Sequence, residues 1–224
     1  MNLGRLKGKL SVRLRRRKRQ AGLFKKDHQR GHAKAAKRDA KAVRYLRGLI
    51  SKEERRRRRR APDRMFDDTT VSLIPLNAPA VLAYVDGAYQ TIDEVKKLFP
   101  HAHILPCTVF TPGKARCLDI EKGDATPDKA AEHVHKRQKI APHELPVLYG
   151  SISTMPAIEA NCKAAGIHRR EYDLLSAHYT YKPHICGPKT CGYATKCNGT
   201  QYTDVALHKS LDESVIDDEF FLPR

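Results

Sequence analysis

No apolar run in the chain approaches the roughly 18 residues that a membrane-crossing helix needs, so a helical span is not expected. A secretory leader pattern is also missing. Residues 1–9 are basic, but Val12 and Leu14 stand among arginines where an apolar core would follow. No repeat of 20 to 50 residues recurs. The chain lacks a Ser-His-Asp order, a phosphate-binding Walker loop and a dinucleotide glycine fingerprint, which leaves acyl transfer, nucleotide hydrolysis and hydride chemistry without support. No cofactor is expected.

Positive charge is abundant and uneven. Of 43 Lys and Arg and 25 Asp and Glu in 224 residues, 26 basic and 5 acidic side chains fall within the first 64 residues. The remainder holds 17 basic and 20 acidic residues, so a basic arm precedes a mildly acidic globule, and a uniformly basic nucleic-acid-binding fold is disfavoured. The expected division is an arm over 1–64, a linker over 65–78 and a folded part over 79–224.

Within the arm, Arg15, Arg16 and Arg17 lie in one dense cluster and Arg55, Arg56, Arg57, Arg58, Arg59 and Arg60 form an unbroken run. Such blocks bury too little apolar surface to offset ordering, but they bind polyanions through counterion release. Nucleic acid, wall phosphopolymer and anionic lipid all fit as partners. Phe24 and Tyr45 are the arm's only aromatics, which leaves it without the stacking platform of single-strand binders. Between the clusters, Ala36, Ala40, Val43, Leu46 and Ile50 make a narrow apolar stripe that predicts a helix over 33–52 in need of a partner surface.

Beyond residue 79, short apolar runs alternate with helical patterns. Strands are expected at 81–85, 104–109, 115–121, 146–149, 172–179, 200–202 and 210–216, and helices at 91–99, 127–139 and 155–165. This order predicts an α/β fold, a TIM-like (β/α) barrel abbreviated by its length and preceded by a helical or disordered arm. Asp119 and Glu121 end one strand at i and i+2, hence on one face, at the rim where parallel α/β folds place their chemistry. Asp86 follows the apolar strand 81–85 and would reach the same rim. Crowded, partly buried carboxyls hold protons at neutral pH, which suits one of them to general acid work on a glycosidic bond.

The stretches Asp119 to Pro127, Ala177 to Thr180 and Thr200 to Asp204, taken with Val81 to Asp86 and Ser210 to Asp212, occur in an order that resembles glycoside hydrolase family 25. These are muramidase-like barrels of bacterial and phage lysins, and the likeness is to their shortened actinobacterial and actinophage forms. The resemblance covers about residues 79 to 216. It implies hydrolysis of the β-1,4 glycan bond of peptidoglycan, with Glu121 as proton donor and Asp119 orienting or stabilising the reacting sugar. Asp86 and Asp212 match the acids that the family carries on its first and last strands. Tyr179, Gln201 and Tyr202 fall where the family lines its sugar groove, and His178 and Asp204 are further candidate contacts. The implied setting is the cell wall, reached from the cytoplasm of a phage-infected bacterium, or the virion. Two other readings stand beside it: a non-catalytic glycan-binding or virion structural module, and a nucleic-acid-binding protein acting through its arm.

Cys186, Cys191 and Cys197 occupy a Gly- and Pro-rich segment that also contains His184. A disulfide between two of the three is the preferred expectation, with free thiols and zinc as alternatives, because the spacing matches no standard finger. Shortened family-25-like domains often carry a Cys-Gly-Pro-x-x-Cys-Gly loop here, which implies a loop-stabilising role.

Overall fold

The computed structural model describes residues 11–12, 14–15, 39–50 and 63–222. The chain divides into two compact units, residues 1–60 and 61–224. In the first unit, residues 39–50 are helical, as the apolar stripe predicts; the remainder of the expected 33–52 helix lies outside the described residues. Arg15 is helical, whereas Arg16, Arg17 and Arg55 to Arg60 also lie outside them. Among the described residues, no helix is long and apolar enough to cross a membrane.

The second unit is a closed barrel of eight strands in sequential order. These are β1 (Arg64–Asp67), β2 (Ala80–Tyr84), β3 (His103–Thr108), β4 (Cys117–Asp119), β5 (Val147–Ser151), β6 (Asp173–Ala177), β7 (Gly199–Thr203) and β8 (Asp212–Ile216). Neighbours from β1 to β7 pair in parallel, and β8 closes the barrel antiparallel to both β7 and β1. The expected barrel is therefore present with every strand, and its abbreviation lies in the connections. The α-helices are α1 (Ile92–Leu98), α2 (Ala130–Ile140) and α3 (Met155–Ala164), after β2, β4 and β5 respectively. The expected linker is corrected: β1 and a 3-10 turn at Val71–Leu73 occupy much of it, with Met65, Phe66, Val71 and Ile74 buried.

Alternation along each strand builds two cores. Met65, Leu82, Leu105, Cys107, Cys117, Val147, Tyr149, Leu175 and Ile216 fill the lumen. Their outward neighbours, such as Leu118, Leu148 and Leu174, pack beneath α2 and α3 with Val134, Met155 and Ile158. Because β8 runs against the others, its exit delivers Phe220 to the bottom of the lumen, where this ring is 1% exposed. The top of the lumen is left to polar side chains. Helix α3 is stopped by Gly166 at φ +76°, which lets Gly166 N donate to Lys163 O and Ile167 N donate to Cys162 O, satisfying the final carbonyls.

Candidate active site

Three strands far apart in sequence bring carboxylates to the top of the lumen. Asp67 ends β1 two residues after the lumen-facing Met65, Asp119 ends β4 two residues after Cys117, and Asp212 begins β8. Asp67 is the register partner of Asp212. Glu121 lies just beyond β4, fixed by Ile120 N donating to Tyr149 O at 2.9 Å and by Ala125 N donating to Asp119 O at 3.3 Å. The approach there is close, since a Cβ on Gly150 would lie 2.8 Å from Ile120 O.

Burial and mutual repulsion act together on these acids. Burial, then Glu121 and Asp124, push the Asp119 carboxyl up to about 8, against a lowering hydrogen bond from Tyr84. Asp67 is raised well above the ordinary range by burial, with Asp212 and Asp119 adding to it. Burial takes Asp212 to about 6 although Gln201 opposes the rise, and Glu121 is raised by burial and Asp124 against a bond from Tyr149. Burial and repulsion thus favour a retained proton in the cluster, with Asp119 still protonated near neutral pH.

Tyrosines and Gln201 organise it. Tyr84 Oη, at the end of β2, donates to Asp119 Oδ2 at 3.5 Å, and Tyr149 Oη donates to Gln201 Oε1. The other carboxylate oxygen of Asp119, Oδ1, is buried without a hydrogen-bond partner. A cavity of about 400 Å³ opens over Asp119, Glu121, Asp124 and Tyr84, bordered by Tyr89 and Phe110. Those two rings are 65% and 58% exposed, so they offer bare aromatic faces beside the acids.

The sequence-based residues separate into two groups. Asp119, Glu121, Asp212 and Gln201 belong to the cluster, and Tyr179 and Asp204 lie near it: burial raises the Tyr179 hydroxyl, with Asp212, Glu121, Asp67 and Asp204 adding repulsion. Three assignments are corrected. Asp86 borders the cavity but belongs to the second strand's exit, not the first, and its oxygens are engaged by Val109 N at 2.8 Å, Thr108 Oγ1 at 2.6 Å and Lys114 Nζ at 3.2 Å. Burial would raise its carboxyl, but those partners outweigh burial and hold it below the usual range, as suits a strap between β2 and β3. The first-strand acid is Asp67. Tyr202, one residue from the lumen-facing Gln201, faces outward toward Glu213 and Arg64. His178 turns to Cys186 and His184, with Nδ1 at 3.2 Å from Cys186 Sγ. The six cysteines are free thiols, so the preferred disulfide among Cys186, Cys191 and Cys197 is not formed.

No family model matches the chain, and no curated protein does. A solved structure described as a 1.07 Å crystal structure of an uncharacterized B. stearothermophilus protein is similar at 13% identity and a TM-score of 0.48, covering 71% of this chain and 98% of that one.

Asp67, Tyr84, Tyr149, Tyr89 and Phe110 escaped the sequence reading as site residues. For Asp67 one signal existed: Met65 and Asp67 at i and i+2 in a short apolar stretch, obscured by the adjoining arginine run. The tyrosines sat within or just beyond recognised strands, but sequence alone does not say which strands face one another across a lumen.

Proposed function

We propose that this protein is a peptidoglycan-directed glycosidase that cleaves the β-1,4 glycan bond. The observation that carries the reading is the convergence of Asp67 and Asp212 on Asp119 and Glu121, the latter two lining a cavity bordered by bare aromatic rings. Glycoside hydrolysis needs a carboxylic acid to protonate the departing oxygen and a second carboxyl for the developing oxocarbenium charge or the attacking group. Glu121 lines the cavity and is less buried than Asp119, which suits it to deliver a proton to a bound glycan. Asp119, held by Tyr84, orients the sugar from below, and Asp67 and Asp212 keep the shared protons in place. Tyr89 and Phe110 offer faces to the apolar sides of pyranose rings. The basic arm concentrates the enzyme on anionic wall polymer.

The test is release of new reducing ends from purified peptidoglycan. Wild-type protein releases them and Glu121→Gln does not, whereas equal release by both removes Glu121 from the chemistry. Glycan binding by wild type without any new ends would instead support a non-catalytic module.

A further inference from the structure

The connection between β6 and β7 runs from residue 178 to 198 without an α-helix, and four side chains with metal-binding atoms meet at its base. His178 Nδ1 is 3.2 Å from Cys186 Sγ and 3.3 Å from His184 Nε2. Cys186 Sγ is 3.4 Å from His184 Nε2. The ligand atoms of His178, Cys186 and Cys191 all lie within 4.8 Å of one another. We propose that His178, His184, Cys186 and Cys191 form a structural zinc site.

The separations among His178, His184 and Cys186 are those of a tetrahedron's edges, and Cys191, within 4.8 Å of His178 and Cys186, is the fourth ligand that closes on the ion. With Zn–N of about 2.0–2.1 Å and Zn–S of about 2.3 Å, neighbouring ligand atoms stand roughly 3.3 to 3.8 Å apart. A proton on His178 Nδ1 bridges only part of this group, whereas a cation at its centre satisfies every ligand. A disulfide between Cys186 and Cys191 would leave both imidazole edges facing sulfur with no use for them.

The surroundings prepare the ligands. His184 Nδ1 lies 2.9 Å from Lys182 O, which only accepts, so Nδ1 carries the proton and Nε2 turns its lone pair to the cluster. Such a bond from the far ring nitrogen to a carbonyl is the usual support of a metal-bound histidine. Thr190 N, Cys191 N and Gly192 N all donate to Gly187 O, at 3.2, 3.2 and 3.1 Å, a tight turn that folds Cys191 back toward Cys186. Cys186 N donates to Thr200 Oγ1 on β7 at 2.8 Å, and Cys197 N donates to Cys186 O at 2.9 Å.

Four protein ligands leave no open position, so the ion acts as a staple and not as a Lewis acid. It ties the residue after β6 to the segment entering β7 and fixes the neighbouring Tyr179 beside the acids. The site stands independently of the glycosidase reading.

The test is metal titration of the full chain, reduced and freed of metal, with zinc uptake read by native mass spectrometry and cobalt substitution read by visible absorption. Wild type binds one zinc in the presence of a competing chelator, and its cobalt form shows tetrahedral bands with thiolate charge transfer. Cys191→Ser and His184→Ala, both at partly exposed positions, weaken binding by at least ~100-fold while circular dichroism shows the fold retained. Asp119→Asn, which changes the acidic cluster alone, keeps full affinity. The proposal is overturned if the reduced wild type takes up no tightly held zinc, if Cys191→Ser and His184→Ala both bind as well as wild type, or if the chain purified without reductant carries a Cys186–Cys191 disulfide that persists in excess zinc.

Discussion

Asp67, the last residue of β1, stands in register with Asp212, the first residue of β8, across the antiparallel seam that closes the barrel. Directly opposed residues of such a pair project from the same face, so both carboxyls share the top of the lumen. Like charges placed in this way destabilise the pair unless protons are retained, and burial raises both groups. Raised carboxyls of this kind, next to the acids that line the cavity, are what the proposed proton transfer would draw on.

The two acids assigned to the barrel's beginning should therefore behave oppositely. On the proposed glycosidase reading, Asp67→Asn lowers kcat on peptidoglycan by at least ~100-fold, because it removes a proton-sharing carboxyl. Asp86→Ala instead orphans Val109 N and Lys114, lowering unfolding stability by about 1–3 kcal/mol with kcat changed less than about tenfold well below the melting temperature. Kinetics and urea denaturation of the two variants check this, and a reversed pattern would restore Asp86 as the reacting group.

The raised Asp119 carboxyl gives stability a definite pH dependence. Its folded value of about 8 exceeds its ordinary 3.8, so the folded state binds more protons between those limits. Stability from this group is present in full below about pH 4 and is lost as pH rises toward 8. Asp119→Asn removes the penalty. It raises Tm at pH 8 by on the order of 5 °C, and by less at pH 5, while activity falls. Calorimetry at both values decides, and an equal shift at each would exclude titration as the cause.

Gly150→Ala should disable the site without touching a carboxyl. The new methyl would lie 2.8 Å from Ile120 O, forcing the segment between Asp119 and Glu121 away from β5. The expected result is a loss of ~100-fold in kcat/KM with Tm lowered by several degrees. Retained kcat/KM in a folded variant would show that Glu121 tolerates displacement.

Aromatic truncation should separate the groove from the barrel exterior. Tyr89→Ala and Phe110→Ala together raise KM for glycan by about tenfold, at roughly 0.5–1.5 kcal/mol per ring. Tyr202→Phe leaves KM unchanged and costs about 1 kcal/mol of stability through its lost partner Glu213. Steady-state kinetics with a soluble glycan fragment distinguish the two sets.

Most of the barrel was legible from residue order. Strands β2 to β8 and all three α-helices lie where apolar runs, Thr126-Pro127 and Gly166 indicate, because such signals are local. Strand β1 was not. Four residues between an arginine run and a turn give no periodicity, and their strand character comes from pairing with β2 and β8. Tyr202 and Gln201 illustrate the same limit: adjacent positions on β7 face opposite sides, and only the register decides which faces the acids.

The amino-acid order alone determined the segregation of charge into an arm, the alternation that makes an α/β barrel, and the paired acids at 119 and 121, since each depends on neighbours within a few residues. Closure of the barrel decided the rest. It brought Asp67 and Asp212 to the acids of β4 and pushed Asp119 to about 8. Proximity across a lumen and exclusion of water belong to the assembled sheet, and no short stretch of chain contains them.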